Sequence, residues 1–177
     1  PSYHELMAFS MRHGLHTGYW QNPVSGSLVA RCAKNYMMTQ VEAGHGCPIT
    51  MTFAAVPALR TDPDIADFWV PKLLSNTYDP RNVPAAEKTA CTVGMAMTEK
   101  QGGSDVRANQ TKATLAPDGH YRLLGHKWFC SAPMSDLFLT LAQLDGQLTC
   151  FIVPRWDQDG RPNRMQIQRL KDKVGNR

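Results

Sequence analysis

Across residues 27–42 apolar side chains return every three or four positions. Leu28, Cys32 and Tyr36 form one row; Val29, Ala33 and Met37 form the next. That spacing follows the helical turn and predicts an amphipathic helix with one wide apolar face. Ser25 or Ser27 is placed to cap its start, and Gly44 to end it. Cys47-Pro48 opens a second helix over 49–59, with proline at the favoured first position. Its pattern is apolar nearly all round, which predicts burial, and Pro57 predicts a late kink. Asp62-Pro63 starts a short helix over 64–70, followed by Lys72-Leu73-Leu74. Residues 3–15 carry a weaker helical pattern that breaks after Gly14. The stretch 79–88, with Pro80 and Pro84, reads as a loop and a domain boundary.

After residue 91 the period shortens to two. Cys91-Thr92-Val93-Gly94-Met95-Ala96 is an apolar run that reads as a strand. Residues 113–116 and 121–124 flank Pro117-Asp118-Gly119-His120, a hairpin signal. Residues 137–143 and 147–153 flank Leu144-Asp145-Gly146, a second one. Residues 165–170 read as another strand after a long loop over 155–164. Helices followed by hairpin-connected strands predict an α+β chain: a helical layer over residues 1–90, then an antiparallel β-domain over 91–177. No internal repeat, G-x-G-x-x-G fingerprint or Walker motif is present.

Composition narrows the function classes. An apolar content of 42% in 177 residues supplies a core, and a net charge of +4 without basic runs does not argue for nucleic-acid binding. Five cysteines, at 32, 47, 91, 130 and 150, include no C-x-x-C pair, which points to reduced thiols and a cytoplasmic protein. No apolar run approaches the roughly 20 residues of a membrane span. The chain opens on Pro1 and closes on Lys173-Val174-Gly175-Asn176-Arg177 inside a segment with a structured pattern, which reads as a piece of a longer protein. His13 and His16 stand three apart, but no third ligand follows at a recognisable spacing, so no metal site is assigned.

The chemistry concentrates in two segments. Met97-Thr98-Glu99-Lys100-Gln101-Gly102-Gly103-Ser104-Asp105 follows the first strand, and Gly125-His126-Lys127-Trp128-Phe129-Cys130-Ser131 comes after the first hairpin. Gly103 and Ser104 offer backbone N–H groups and a hydroxyl to a pyrophosphate. Thr98 and the backbone of Met95, Ala96 and Met97 sit at a strand end, able to bond the polar edge of a flat heterocycle. Trp128 alternates with Phe129 along a strand and offers an indole face, with Cys130 and the Ser131 hydroxyl beside it.

In order and spacing, these motifs resemble the flavin-binding signature of the acyl-CoA dehydrogenase family. The resemblance covers essentially the whole chain. It implies a partial N-terminal helical domain over 1–90 and a truncated, barrel-like middle β-domain over 91–177. It implies FAD as cofactor, held by Met95, Ala96, Met97, Thr98, Gly103, Ser104, Trp128, Phe129, Cys130 and Ser131. Thr-Glu-Lys-Gln-Gly-Gly-Ser-Asp departs from the family's commoner Thr-Glu-Pro-x-Ala-Gly-Ser-Asp. It is similar to the alkylation-response, AidB-like branch, as are Cys47-Pro48-Ile49-Thr50-Met51-Thr52-Phe53-Ala54 and Arg169-Leu170-Lys171-Asp172-Lys173-Val174-Gly175-Asn176-Arg177. The resemblance implies oxidation of acyl-CoA or a related acyl thioester at its α,β-carbons, by a full-length homotetramer. The catalytic base is a glutamate of a C-terminal domain that this chain lacks, so Glu42, Glu87 and Glu99 are assigned no catalytic role. DNA binding through that same missing domain is the alternative.

Overall fold

A computed structural model describes residues 2–172. Among them, five α-helices precede five strands: α1 (Ser2–Arg12), α2 (Gly18–Gln21), α3 (Ser27–Val41), α4 (Gly46–Leu59), α5 (Pro63–Leu73), then β1 (Val93–Ala96), β2 (Lys112–Leu115), β3 (Tyr121–Leu124), β4 (Leu137–Leu144) and β5 (Gln147–Pro154). The α+β expectation stands.

The helix ends are set by local chemistry that apolar spacing does not reveal. Neither Ser25 nor Ser27 caps α3. Gly26 occupies the cap at φ +81°, and the Ser27 hydroxyl donates backward to the Val24 carbonyl at 2.8 Å. The helix stops before Gly44 because the Glu42 carboxylate takes over the next polar hydrogens. It accepts from the Gly44 N–H at 2.5 Å, the His45 N–H at 3.0 Å and His45 Nδ1 at 2.6 Å. Ser10 Oγ lies 2.8 Å from His45 Nε2, which ties this turn to α1. α5 begins as its sequence suggests, with the Asp62 carboxylate accepting from the Ile65 N–H at 3.2 Å.

α4 is the central helix. Pro57 has no N–H to give the Phe53 carbonyl one turn back. Trp20 Nε1 donates to that carbonyl instead, at 2.8 Å. Only one face of α4 is buried, through Ile49, Met51, Thr52, Ala55, Val56 and Leu59; Thr50, Ala54 and Ala58 are exposed, so the expectation of burial all round fails. α3 departs further. Arg31 is its one buried residue, while Val29, Tyr36, Met37 and Val41 are each more than 60% exposed. The wide apolar face is present, and nothing among the described residues covers it.

The sheet runs β1-β4-β2-β3, with β5 along the other edge of β4. Both predicted hairpins form, β2 with β3 and β4 with β5. Asp145 and Gly146 both take positive φ, 50° and 79°, matching the two-residue turn their Asp-Gly pair predicts. The expected antiparallel pairing holds for both hairpins and is corrected where β1 and β2 meet β4. β1 pairs with β4 in parallel, Val93 opposite Leu137, and β2 meets β4 in parallel at Lys112 and Gln143. Among the described residues no β1–β3 ladder closes the sheet. Parallel partners are joined by long crossovers, so their pairing leaves no turn signal. Residues 165–170 form no strand. Among the described residues they pair with no strand. The motif at 173–177 lies outside the described residues.

One core binds helices to sheet. Ala55, Val56, Leu59, Trp69, Val70 and Leu73 from α4 and α5 pack against Cys91, Val93, Leu137 and Leu139 from the β1–β4 edge. The helical layer therefore sits directly behind β1, the strand that leads into the Thr98 segment.

Candidate functional site

β1 carries the chain straight into Met97-Thr98-Glu99. This stretch lies against residues 128–131, running antiparallel. The Ser131 N–H donates to the Met95 carbonyl at 2.9 Å, and the Met95 N–H to the Ser131 carbonyl at 3.4 Å. The Trp128 N–H donates to the Thr98 carbonyl at 2.8 Å. Two motifs some 30 residues apart are thus backbone neighbours. The chain then turns, with the Gly102 N–H bonded to the Glu99 carbonyl at 3.0 Å, into a 3-10 helix, Gly103–Ala108. Gly103 is pressed against Thr98: a Cβ there would stand 2.9 Å from Thr98 Oγ1, so a larger residue would have to displace the Thr98 hydroxyl.

Beneath the surface Glu99 holds this arrangement together. Its buried carboxylate accepts from the Gln110 N–H at 2.6 Å, the Thr111 N–H at 3.0 Å, the Thr111 hydroxyl at 2.5 Å and Lys127 Nζ at 2.8 Å. Burial alone pushes its pKa up, but the bonds from Lys127, Thr111 and Gln110 outweigh it and bring the value down to about 2. Four donors occupy this carboxylate and hold it ionised. Glu42 is likewise engaged by the turn before α4.

The predicted site residues divide into two groups. Thr98 and Ser104 carry hydroxyls with no hydrogen-bond partner among the described residues, Ser104 is exposed, and Trp128 is 45% exposed. Phe129 is 41% exposed and Ser131 is exposed. The Lys171 ammonium stands 5.1 Å over the Phe129 ring. Ala96, Trp128, Phe129, Cys130 and Ser131 line a broad open groove that also runs past β5 and residues 156–172; Thr98, Gly103 and Ser104 lie outside its lining. The second group is committed inside the fold. Met95 and Met97 pack against the core, both Met95 backbone groups bond Ser131, and the Met97 carbonyl accepts from Asn109 Nδ2 at 2.9 Å. Cys130 is half-buried, and burial raises its thiol pKa.

Sequence reading assigns no role to Lys127, Thr111 or Asn109. Lys127 carries a signal, since it lies two residues past Gly125, whose Cβ would clash with Thr111 at 2.2 Å. Thr111 and Asn109 have no such mark.

Among the described residues no helix is long and apolar enough to cross a membrane. Sequence profiles match both halves: residues 1–80 match the adaptive response protein AidB N-terminal domain, and residues 94–177 the acyl-CoA dehydrogenase middle domain. The putative acyl-CoA dehydrogenase AidB of Escherichia coli K12 is 49% identical over 100% of this chain, which spans 33% of that protein. The solved apo form of Bd2924 superposes with a TM-score of 0.81 at 33% identity, over 98% of this chain and 35% of that one. An acyl-CoA dehydrogenase from Bacillus anthracis, solved in complex with FAD, shares the fold with a TM-score of 0.62 at 23% identity, over 86% of this chain and 25% of that one. This chain belongs to the acyl-CoA dehydrogenase family, with an AidB-type N-terminal segment leading into that family's middle domain.

Proposed function

We propose that the intact protein is an FAD-dependent oxidoreductase of acyl thioesters, and that this chain supplies one wall of its flavin site. In this reading residues 1–90 form part of a helical domain and residues 91–177 most of a β-domain. The observation that carries it is the direct hydrogen bond between the Thr98 and Trp128 segments, at 2.8 Å, beside hydroxyls and an indole that the fold leaves unused. The donor set fits the group. Ser104 and the Gly102-Gly103 turn would offer the pyrophosphate a hydroxyl and backbone N–H groups. Thr98 would bond the polar ring edge, and Trp128 would shield the ring from water. FAD supplies the acceptor for the hydride that leaves the substrate's β-carbon. The protein atoms around it hold, orient and shield.

The α-proton must go to a group outside this chain's assigned residues, because the Glu99 and Glu42 carboxylates are already engaged. The two relatives above are three times as long as this chain or nearly so, which leaves room for that base in the intact protein. The adaptive-response description of the matched N-terminal family favours a second reading, a flavoprotein of the alkylation response that binds DNA through a C-terminal domain. Mixing the intact protein with acyl-CoA thioesters without oxygen separates the two. Bleaching of the oxidised flavin band within turnover times is expected. A flavin band that no acyl thioester bleaches would overturn the dehydrogenase reading.

A further inference from the structure

We propose that Glu99 and Lys127 are positioning residues: their buried ion pair fixes where the Trp128 indole stands, and through it how firmly flavin is held. The proposal rests on the flavin reading of the site. Neither charge needs to touch the cofactor.

The geometry that assigns this role is a pair of neighbouring registers. Glu99 follows Thr98, and Lys127 precedes Trp128. The Trp128 N–H bonds the Thr98 carbonyl at 2.8 Å on one side of this junction, and Lys127 Nζ bonds Glu99 Oε1 at 2.8 Å on the other. The side chains alternate. Glu99 and Lys127 point inward, 6% and 11% exposed, while Trp128 points out. Glu99 is anchored in turn by Thr111 and Gln110, where the chain enters β2, and Gln143 of β4 takes the Thr111 carbonyl at 2.7 Å. Gly125 follows β3 directly, and residues 125–130 form no strand of their own, contrary to the sequence reading; the glycine lets the chain approach Thr111 so closely that any side chain would collide with it. The Lys127 ammonium is therefore the clamp that holds the Trp128 segment on a frame rooted in the sheet. Without it the segment keeps its backbone bonds at Trp128 and Ser131, but no side chain ties its start to that frame, and Glu99 is left buried with a charge and no cation.

The intact protein tests this with Lys127→Met, Glu99→Gln, the double variant and Lys127→Arg. Trp128 is followed by fluorine NMR of the apoprotein labelled with 5-fluorotryptophan, its signal assigned with Trp128→Phe. Flavin affinity and reduction potential are measured alongside. Lys127→Met is expected to shift or broaden the Trp128 signal and to weaken flavin binding by about tenfold. Lys127→Arg restores both. The double variant, with no lone buried charge, folds even where a single variant does not, and it shows the displaced signal. An unmoved Trp128 signal in the folded double variant, with wild-type flavin affinity and potential, overturns the proposal. The two ideas fail differently. A moved signal with unchanged flavin binding, or no flavin binding in the wild type, sinks the flavin reading. An unmoved signal, where Trp128→Ala nevertheless loses flavin, sinks only the role of the ion pair.

Discussion

His16 shows how burial alone writes a pH dependence into the fold. Its side chain is fully buried; Nε2 donates to the Ser75 carbonyl at 2.9 Å, and Nδ1 has no partner among the described residues. Burial, helped by the nearby Arg31 guanidinium and opposed by the Ser75 bond, lowers its pKa from 6.5 to about 4. The unfolded chain therefore takes up a proton that the folded chain refuses. Stability from this source is complete above about pH 6.5 and is lost as pH falls toward about 4. Denaturant midpoints across that range are expected to fall on the acid side, and His16→Gln to flatten the fall. A wild-type profile with no slope between those values would show that His16 is accessible to protons. The sequence marks His16 only by its spacing from His13, to which no metal site is assigned. Its real setting depends on Ser75, 59 residues away, which no local pattern reveals.

At the scale of elements, α5 and the segment before β1 meet the start of β4 through a second buried pair. Lys88 Nζ lies 2.6 Å from Asp136 Oδ1, and Asp136 Oδ2 accepts from the Thr92 N–H at 2.8 Å. Lys72 of α5 donates to the Lys88 carbonyl at 2.9 Å. Burial raises the Asp136 pKa, against the pull of Lys88. Lys88→Met strands that carboxylate and is expected to reduce unfolding stability by about 3–5 kcal/mol, with Lys88→Met/Asp136→Asn recovering much of the loss. Chemical denaturation measures both; an unchanged Lys88→Met midpoint would mean that the pair carries no weight at this junction. The legibility of the elements follows the same division between local and distant partners. Both hairpins were readable, because turn residues and alternation sit next to each other in sequence. The parallel β1–β4 ladder was not, because its partners lie 44 residues apart. Residues 165–170 carry a strand's alternation without a neighbour to pair with.

For the whole molecule, the two motifs of the proposed site were legible as order and spacing. The reason they need that spacing was not. The structure brings Thr98 to Trp128 by direct backbone pairing, while Glu99, Lys127 and Thr111 form the buried support beneath. The open apolar face of α3 belongs to the same scale. It is a surface of a chain that spans a third of the length of a relative matching it throughout. The central claim concerns what the exposed groups above that support are for. The most direct measurement is the affinity of the intact apoprotein for FAD, compared across wild type, Ser104→Ala and Trp128→Ala by flavin fluorescence titration. Tight binding in the wild type is expected, with Ser104→Ala weaker by about 1–3 kcal/mol, the usual loss for one partner of a charged group. A loss at least as large is expected for Trp128→Ala. Wild-type affinity in both variants would contradict the account and move the flavin elsewhere.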